Sequence, residues 1–150
     1  MDPKPLPRWI GILARYYAVL QLFHLTFLTR AAILYNSTGR IPFPAQPAGS
    51  SWAVETVPFL FGMGAVDAVA AGMALYAGWK LFFKSRFQTP LWVISLNTAM
   101  TSALIFCFGT VPSGAWQAHL LGYGVLAIVF SPLFVFYVLL MFFWTRERPN

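Results

Sequence analysis

The chain has 150 residues, 59% of them hydrophobic and only 9% charged, whereas a soluble globular domain carries about 25% charged residues. Its formal net charge of +6 comes from Lys and Arg placed mainly beside apolar segments, the distribution of membrane-topology signals and not of a nucleic-acid footprint. Cys107 is the single cysteine, so no intrachain disulfide forms, and the composition predicts one small all-α membrane domain built as a four-helix transmembrane bundle.

Met1 to Arg8 holds three prolines with Lys4 and Arg8, a short basic tail that does not start a helix before Trp9. The first span is predicted at Ile10 to Leu34, with Arg15 and Arg30 within snorkelling distance of opposite interfaces. A cleaved signal peptide is the rival reading. The apolar run continues through Ile33-Leu34-Tyr35 and is interrupted by arginines, which favours a retained span. Asn36 to Ser51 is dense in Pro, Gly and Ser and reads as an irregular loop lying against the membrane through Ile41 and Phe43. It opens on Asn36-Ser37-Thr38, a glycosylation sequon.

The second span, Val57 to Trp79, carries Asp67 near its middle. A charged group at the bilayer centre costs roughly 2.5–3.5 kcal/mol on insertion scales, so such a residue usually marks a ligand or ion path. The spacing Gly64-x-x-x-Ala68-x-x-x-Gly72 predicts a face that a neighbouring helix, a second copy or a membrane-protein partner approaches closely. Lys80 to Arg86 reads as a tight basic turn, and Thr89-Pro90 opens the third span, Pro90 to Val111, which carries Ser95, Asn97, Thr98, Thr101 and Ser102. An uncharged turn at Pro112 to Trp116 leads to the fourth span, His119 to Trp144, interrupted by Ser131-Pro132 and closed by Arg146-Glu147-Arg148.

Counting from the span ends Leu34, Val57, Val111 and Leu121, the residues His24, Asp67, Thr101 and Ser131 each lie ten positions in, at roughly 15 Å depth. Four helices thus supply one polar layer. His24 and Asp67 are the candidate catalytic pair, and Glu55, Asp67, Asn97 and Thr101 the candidate ligand-binding residues, with Glu55 near enough to meet Arg30. The plainer roles are a packed histidine, an Asp67 bonded to a neighbouring Thr or Asn, and interhelical glue from Asn97 and the hydroxyls. No Cys/His cluster, phosphate loop or nucleophile elbow is present, so no metal or cofactor is expected.

The layout resembles the EXPERA-domain family, four-helix endoplasmic-reticulum proteins that include the sigma-2 receptor and the emopamil-binding sterol isomerase. The resemblance rests on Glu55 ahead of Pro58-Phe59-Leu60-Phe61, on Thr89-Pro90-Leu-Trp-Val-Ile-Ser95 followed by Asn97-Thr98 and Met100-Thr101, and on Ser131-Pro132-Leu-Phe before a basic tail. It covers about the last hundred residues. It implies a lipid-accessible pocket for sterols or amphiphilic amines, in which Glu55 matches the family's second-helix acid. Where the sigma-2 pattern has an acid beyond the first-helix histidine, this chain has Arg30. The isomerase branch has an acid one turn after that histidine and an Asn and a Trp before the fourth-helix proline, where this chain has Leu28, Leu126 and Ile128. Steroid isomerisation by that constellation is therefore not expected.

Three functions remain open from the sequence. The first is a membrane-embedded binder of a sterol or other apolar or amphiphilic ligand, serving lipid trafficking or regulation. The second is an isomerase or cyclase using Asp67/His24 proton transfer, and the third a ligand-free assembly subunit. Residence in the endoplasmic reticulum follows from the resemblance and from the Arg146/Arg148 tail; a bacterial inner membrane is the other location considered. Positive charges divide as Lys4, Arg8, Arg15, Lys80, Lys84, Arg86, Arg146 and Arg148 against Arg30 and Arg40, which predicts cytoplasmic termini. In a Cys107→Ala background, a cysteine at Gly49 should react with an impermeant external thiol reagent and one at Ser85 should be protected. The opposite labelling would invert the topology.

Overall fold

The structure is a computed structural model that describes residues 7–49 and 51–146, with backbone only at Arg146. Five helices follow in order: α1 Arg8–Thr38, α2 Thr56–Lys84, α3 Thr89–Thr110, the one-turn α4 Ala115–Ala118 and α5 Leu120–Arg146. Four of them are long and apolar enough to cross a membrane. The basic N-terminal positions before Pro7 and the Glu147–Arg148 part of the tail lie outside the described residues.

Local chemistry sets the helix ends. Pro7 precedes α1, and Gly39 stops it in the left-handed region at φ 68°, where its N–H bonds the Tyr35 carbonyl at 2.8 Å. Because α1 runs to Thr38, the sequon lies in its last turn and not in the loop. There the Ser37 and Thr38 hydroxyls donate back to Ile33 O and Leu34 O at 3.0 and 2.7 Å. The basic segment expected to turn is also helical: α2 continues through Lys84 and reverses only at Ser85, φ 50°. Lys80 and Lys84 lie over the Trp79 ring at 5.0 and 5.8 Å, and their charge suits the C-terminal end of the helix dipole. Pro90 sits in the first turn of α3, where its missing N–H costs nothing.

Lipid tails are as apolar as leucine, so helices in a bilayer associate through close packing and hydrogen bonds more than through hydrophobic burial. The packing follows that rule. Ala70, Ala71, Ala74, Ala77 and Gly78 of α2 are buried, and a Cβ at Gly78 would stand 2.6 Å from the Ala18 Cβ of α1. α2 therefore lies between α1 and α3, while α5 packs on both α1 and α3. The expected small-residue face is met only in part: Gly64 faces Leu28 of α1, whose Cδ2 would lie 3.4 Å from an added Cβ, whereas Gly72 has nothing within 4 Å. The tightest approach is at Gly78, farther along the same seam.

Tyr17 and Ser95 add the hydrogen bonds. The Tyr17 hydroxyl donates to Ser95 Oγ at 2.9 Å, and Ser95 donates to Ala70 O at 2.7 Å, tying α1, α3 and α2 through one buried chain. Around it pack Ile10, Ala14, Leu81, Trp92, Leu96, Phe136 and Leu140, all at the end of the bundle that carries the Lys80–Gln88 reversal. At the other end the helices present Leu22, Phe23, Leu104, Phe108, Leu121 and Ile128 outward. α5 bends the reading of its own proline: Pro132 has no N–H for the Ile128 carbonyl, so Ser131 Oγ donates there at 2.9 Å, and Tyr16 OH donates to Val129 O at 2.6 Å.

In the irregular Arg40–Glu55 segment, the two side chains expected to lie against the membrane pack on protein. Ile41 is buried, and Phe43 rests on Gly122, where an added Cβ would come within 2.8 Å of its ring. The Tyr123 hydroxyl donates to Pro44 O, His119 Nε2 lies 3.4 Å from Pro47 O, and Trp116 stacks on Tyr123. α5 offers a glycine notch for the Phe43 ring and the Tyr123 hydroxyl for the Pro44 carbonyl.

The Gly78 contact yields a test. Gly78→Ala should lower stability in detergent micelles by about 1–3 kcal/mol through overpacking, whereas Gly72→Ala, in open space, should be neutral or raise it by up to about 1 kcal/mol. Thermal or denaturant unfolding followed by circular dichroism measures both.

Candidate functional site

One stripe of α1 carries Ile10, Ala14, Tyr17 and Gln21, all buried, at alternating spacings of four and three. The same spacing continues to His24 and Leu28, so the histidine must face α2. There His24 Nε2 stands 3.6 Å from Asp67 Oδ2, with side-chain exposures of 24% and 18%. That is ion-pair range, longer than a good hydrogen bond. Three antiparallel contacts, Ala18 to Gly78, His24 to Asp67 and Leu28 to Gly64, run along the α1–α2 seam. Holding one shared proton, as imidazolium with carboxylate or imidazole with carboxylic acid, the pair would be net neutral, which limits the expense of placing an acid inside the span.

α3 and α5 complete the surroundings. Ser102 is 1% exposed, and its Oγ lies beside the Asp67 carboxylate, outside ideal hydrogen-bond geometry. Phe130 of α5 meets the His24 ring edge-on, centroids 6.3 Å apart and planes at 88°. All four spanning helices therefore contribute to one location, but two of the four residues expected there are replaced by a neighbour in sequence. Thr101 is exposed, and Ser131 serves the carbonyl freed by Pro132. One residue along a helix is a rotation of about 100°, so depth and facing are separate questions.

The remaining candidates lie apart. Asn97 Oδ1 accepts from the Tyr137 hydroxyl at 2.7 Å, a link between α3 and α5. Glu55 is exposed at the start of α2, and among the described residues no ion pair joins it to Arg30, contrary to the expected meeting. Two open depressions, of about 670 and about 920 Å³, lie along α1 and beneath the Arg40–Glu55 segment; neither includes His24 or Asp67.

Sequence reading missed Tyr17, Gln21, Ser102 and Phe130. The four-three spacing in α1 would have found the first two; nothing in α3 distinguishes Ser102 from Thr101, because both sit among apolar neighbours. No family model, curated protein or solved structure matches this chain. What it does must come from the geometry.

The imidazole, carboxyl and hydroxyl together can accept and donate hydrogen bonds to a polar group inserted between the helices, and the first two can exchange a proton with it. Ser102→Ala should leave the unfolding midpoint at or above that of the parent, since no bond is lost, whereas Tyr17→Phe should lower stability by about 1 kcal/mol. Equal losses in the two variants would show that the Ser102 hydroxyl is bonded within the fold.

Proposed function

We propose that this protein binds a sterol or another apolar or amphiphilic molecule taken from the bilayer, with the polar end of that molecule on His24, Asp67 and Ser102. The observation that carries the reading is the His24–Asp67 pair at 3.6 Å, partly exposed and midway along the spans, with the buried Ser102 hydroxyl beside the carboxylate. A structural pair would be expected to close on its own partners. At 3.6 Å this one leaves hydrogen-bonding capacity at a depth where water is scarce, and a ligand's hydroxyl, carbonyl or amine would supply the complement. The resemblance to EXPERA-domain proteins supports the same class of ligand, and with it residence in the endoplasmic reticulum and a role in lipid trafficking or regulation. In this arrangement Glu55 and Asn97 stand outside the binding group.

The imidazole–carboxyl contact favours one second reading, an isomerase or cyclase. One member of the pair delivers a proton to a double bond of an apolar substrate and the other removes a proton from a neighbouring carbon, so the double bond or ring closure moves with no net gain or loss of protons. A ligand-free assembly role through Gly64, Ala68 and Gly72 has less support, since Gly64 opens onto Leu28 of the same chain.

Mass spectrometry of lipids extracted from the purified protein tests the binding reading. The parent should retain a specific sterol-like or amphiphilic species, and Asp67→Asn should retain at least tenfold less, with helicity and unfolding midpoint close to the parent. Equal retention would make Asp67 structural. Incubating the retained species in heavy water separates the two readings: deuterium entering carbon positions with the parent, and not with His24→Gln, would establish proton transfer.

A further inference from the structure

The stripe of α1 that brings His24 to Asp67 carries one more polar side chain. Gln21 lies on the same face, three residues before the histidine, and is 2% exposed. Its neighbours one turn away are accounted for: the Tyr17 hydroxyl bonds Ser95, and Ser95 bonds the Ala70 carbonyl. The Gln21 amide makes no hydrogen bond to any described residue. Nor is it sealed like the Trp92 N–H, which is wholly enclosed; the little exposure that Gln21 keeps falls at the amide.

Position on the helix sets this amide beside the imidazole. Side chains three residues apart on a helix are neighbours, with Cβ atoms about 5–6 Å apart, and a helical side chain lies over the turn N-terminal to its own Cα. The His24 ring therefore covers the turn that bears Gln21. The facing helices hold nothing to answer the amide. On α2, Ala70 and Ala71 follow Asp67 by a turn and have no polar side chain, and the Ala70 carbonyl is taken by Ser95. On α3, between Ser95 and Ser102, Asn97 and Thr98 are bonded to Tyr137 and to the Ile94 carbonyl, and Thr101 is exposed. An unpaired amide is disfavoured in apolar surroundings, so the fold leaves its complement to come from outside the chain.

We propose that Gln21 is a specificity-determining residue of the His24–Asp67 site, and that it selects a neutral hydroxyl as the polar group of a sterol-like ligand. This rests on the binding reading given above and narrows it to one chemical class. The amide offers both a donor and an acceptor, and so does the imidazole–carboxyl pair beside it. A hydroxyl matches that mixture, because its single oxygen accepts from the Gln21 N–H while its proton is donated to the pair. An ammonium group only donates and leaves the Gln21 NH2 unanswered. A ketone or ester only accepts and leaves the carboxyl oxygens unanswered, and a ligand carboxylate would stand against Asp67.

Native mass spectrometry of the full chain in micelles, offered cholesterol, its ketone cholestenone or its amine aminocholestane in turn, tests the proposal. The parent should retain cholesterol at least about tenfold better than either analogue, since a site that bonds a hydroxyl discriminates strongly against its absence. Gln21→Met, similar in length and a good helix former, should bring the three steroids to near parity. Its unfolding midpoint should stay at or above that of the parent, because an unpaired amide is removed and no bond is lost. Equal retention of the three by the parent, a preference for the ketone or the amine, or a cholesterol preference intact in Gln21→Met would overturn the proposal. So would a lowered midpoint with uniform loss of all three, which would make Gln21 a packing residue. Failure of the underlying binding reading looks different: the parent would then retain none of the steroids, or Asp67→Asn would retain them as well as the parent does.

Discussion

The close approach of α1 and α2 at Ala18 and Gly78 is the constraint on which the rest of the bundle depends. In hydrocarbon, two helices gain little from burying leucine against each other, and what holds them is the contact that small side chains permit and lipid cannot match. Gly78 of α2 and Ala18 of α1 supply that contact, among the buried alanines Ala14, Ala71, Ala74 and Ala77. Once these backbones are near each other, Tyr17 reaches Ser95, and Ser95 reaches the Ala70 carbonyl. Three helices are then registered by one chain of two hydrogen bonds.

That registration places His24 against Asp67. The seam is tight at the Lys80–Gln88 end and looser beyond Gln21, so the pair falls where the packed core gives way to helices with more exposed side chains. A histidine and an acid so placed neutralise each other without being sealed from the bilayer. Pro132 acts at a similar level of α5. The carbonyls around it are satisfied by Ser131 and Tyr16, so the helix passes the proline without unpaired polar groups facing hydrocarbon.

At the far end the order comes from the connecting segment and not from helix packing. Phe43 fills the space over Gly122, and Tyr123 and His119 receive the loop's proline carbonyls. The segment is therefore part of the folded unit, and it forms one side of the polar recess above the α1 groove. The chain thus carries two chemically distinct polar features, an imidazole–carboxyl pair between helices and, with no acidic partner among the described residues, Arg30 on α1 and Arg40 in the segment that follows it.

The membrane class, the four spans and the approximate depth of His24 and Asp67 were legible in the sequence. Hydropathy measures span length, and depth follows by counting residues from a span end at 1.5 Å each. Facing was not legible. In water an apolar stripe tells a helix which side is buried; in lipid both sides are apolar, so the sequence of α3 does not separate Ser102 from Thr101, nor that of α5 Phe130 from Ser131. The same ambiguity covers the small residues of α2, of which Gly64 meets Leu28 of α1 and Gly72 meets nothing, while the tightest approach falls at Gly78. Rotation about each helix axis was decided only when four helices packed together, because it depends on which small side chains let two backbones meet and which hydroxyls then find a partner.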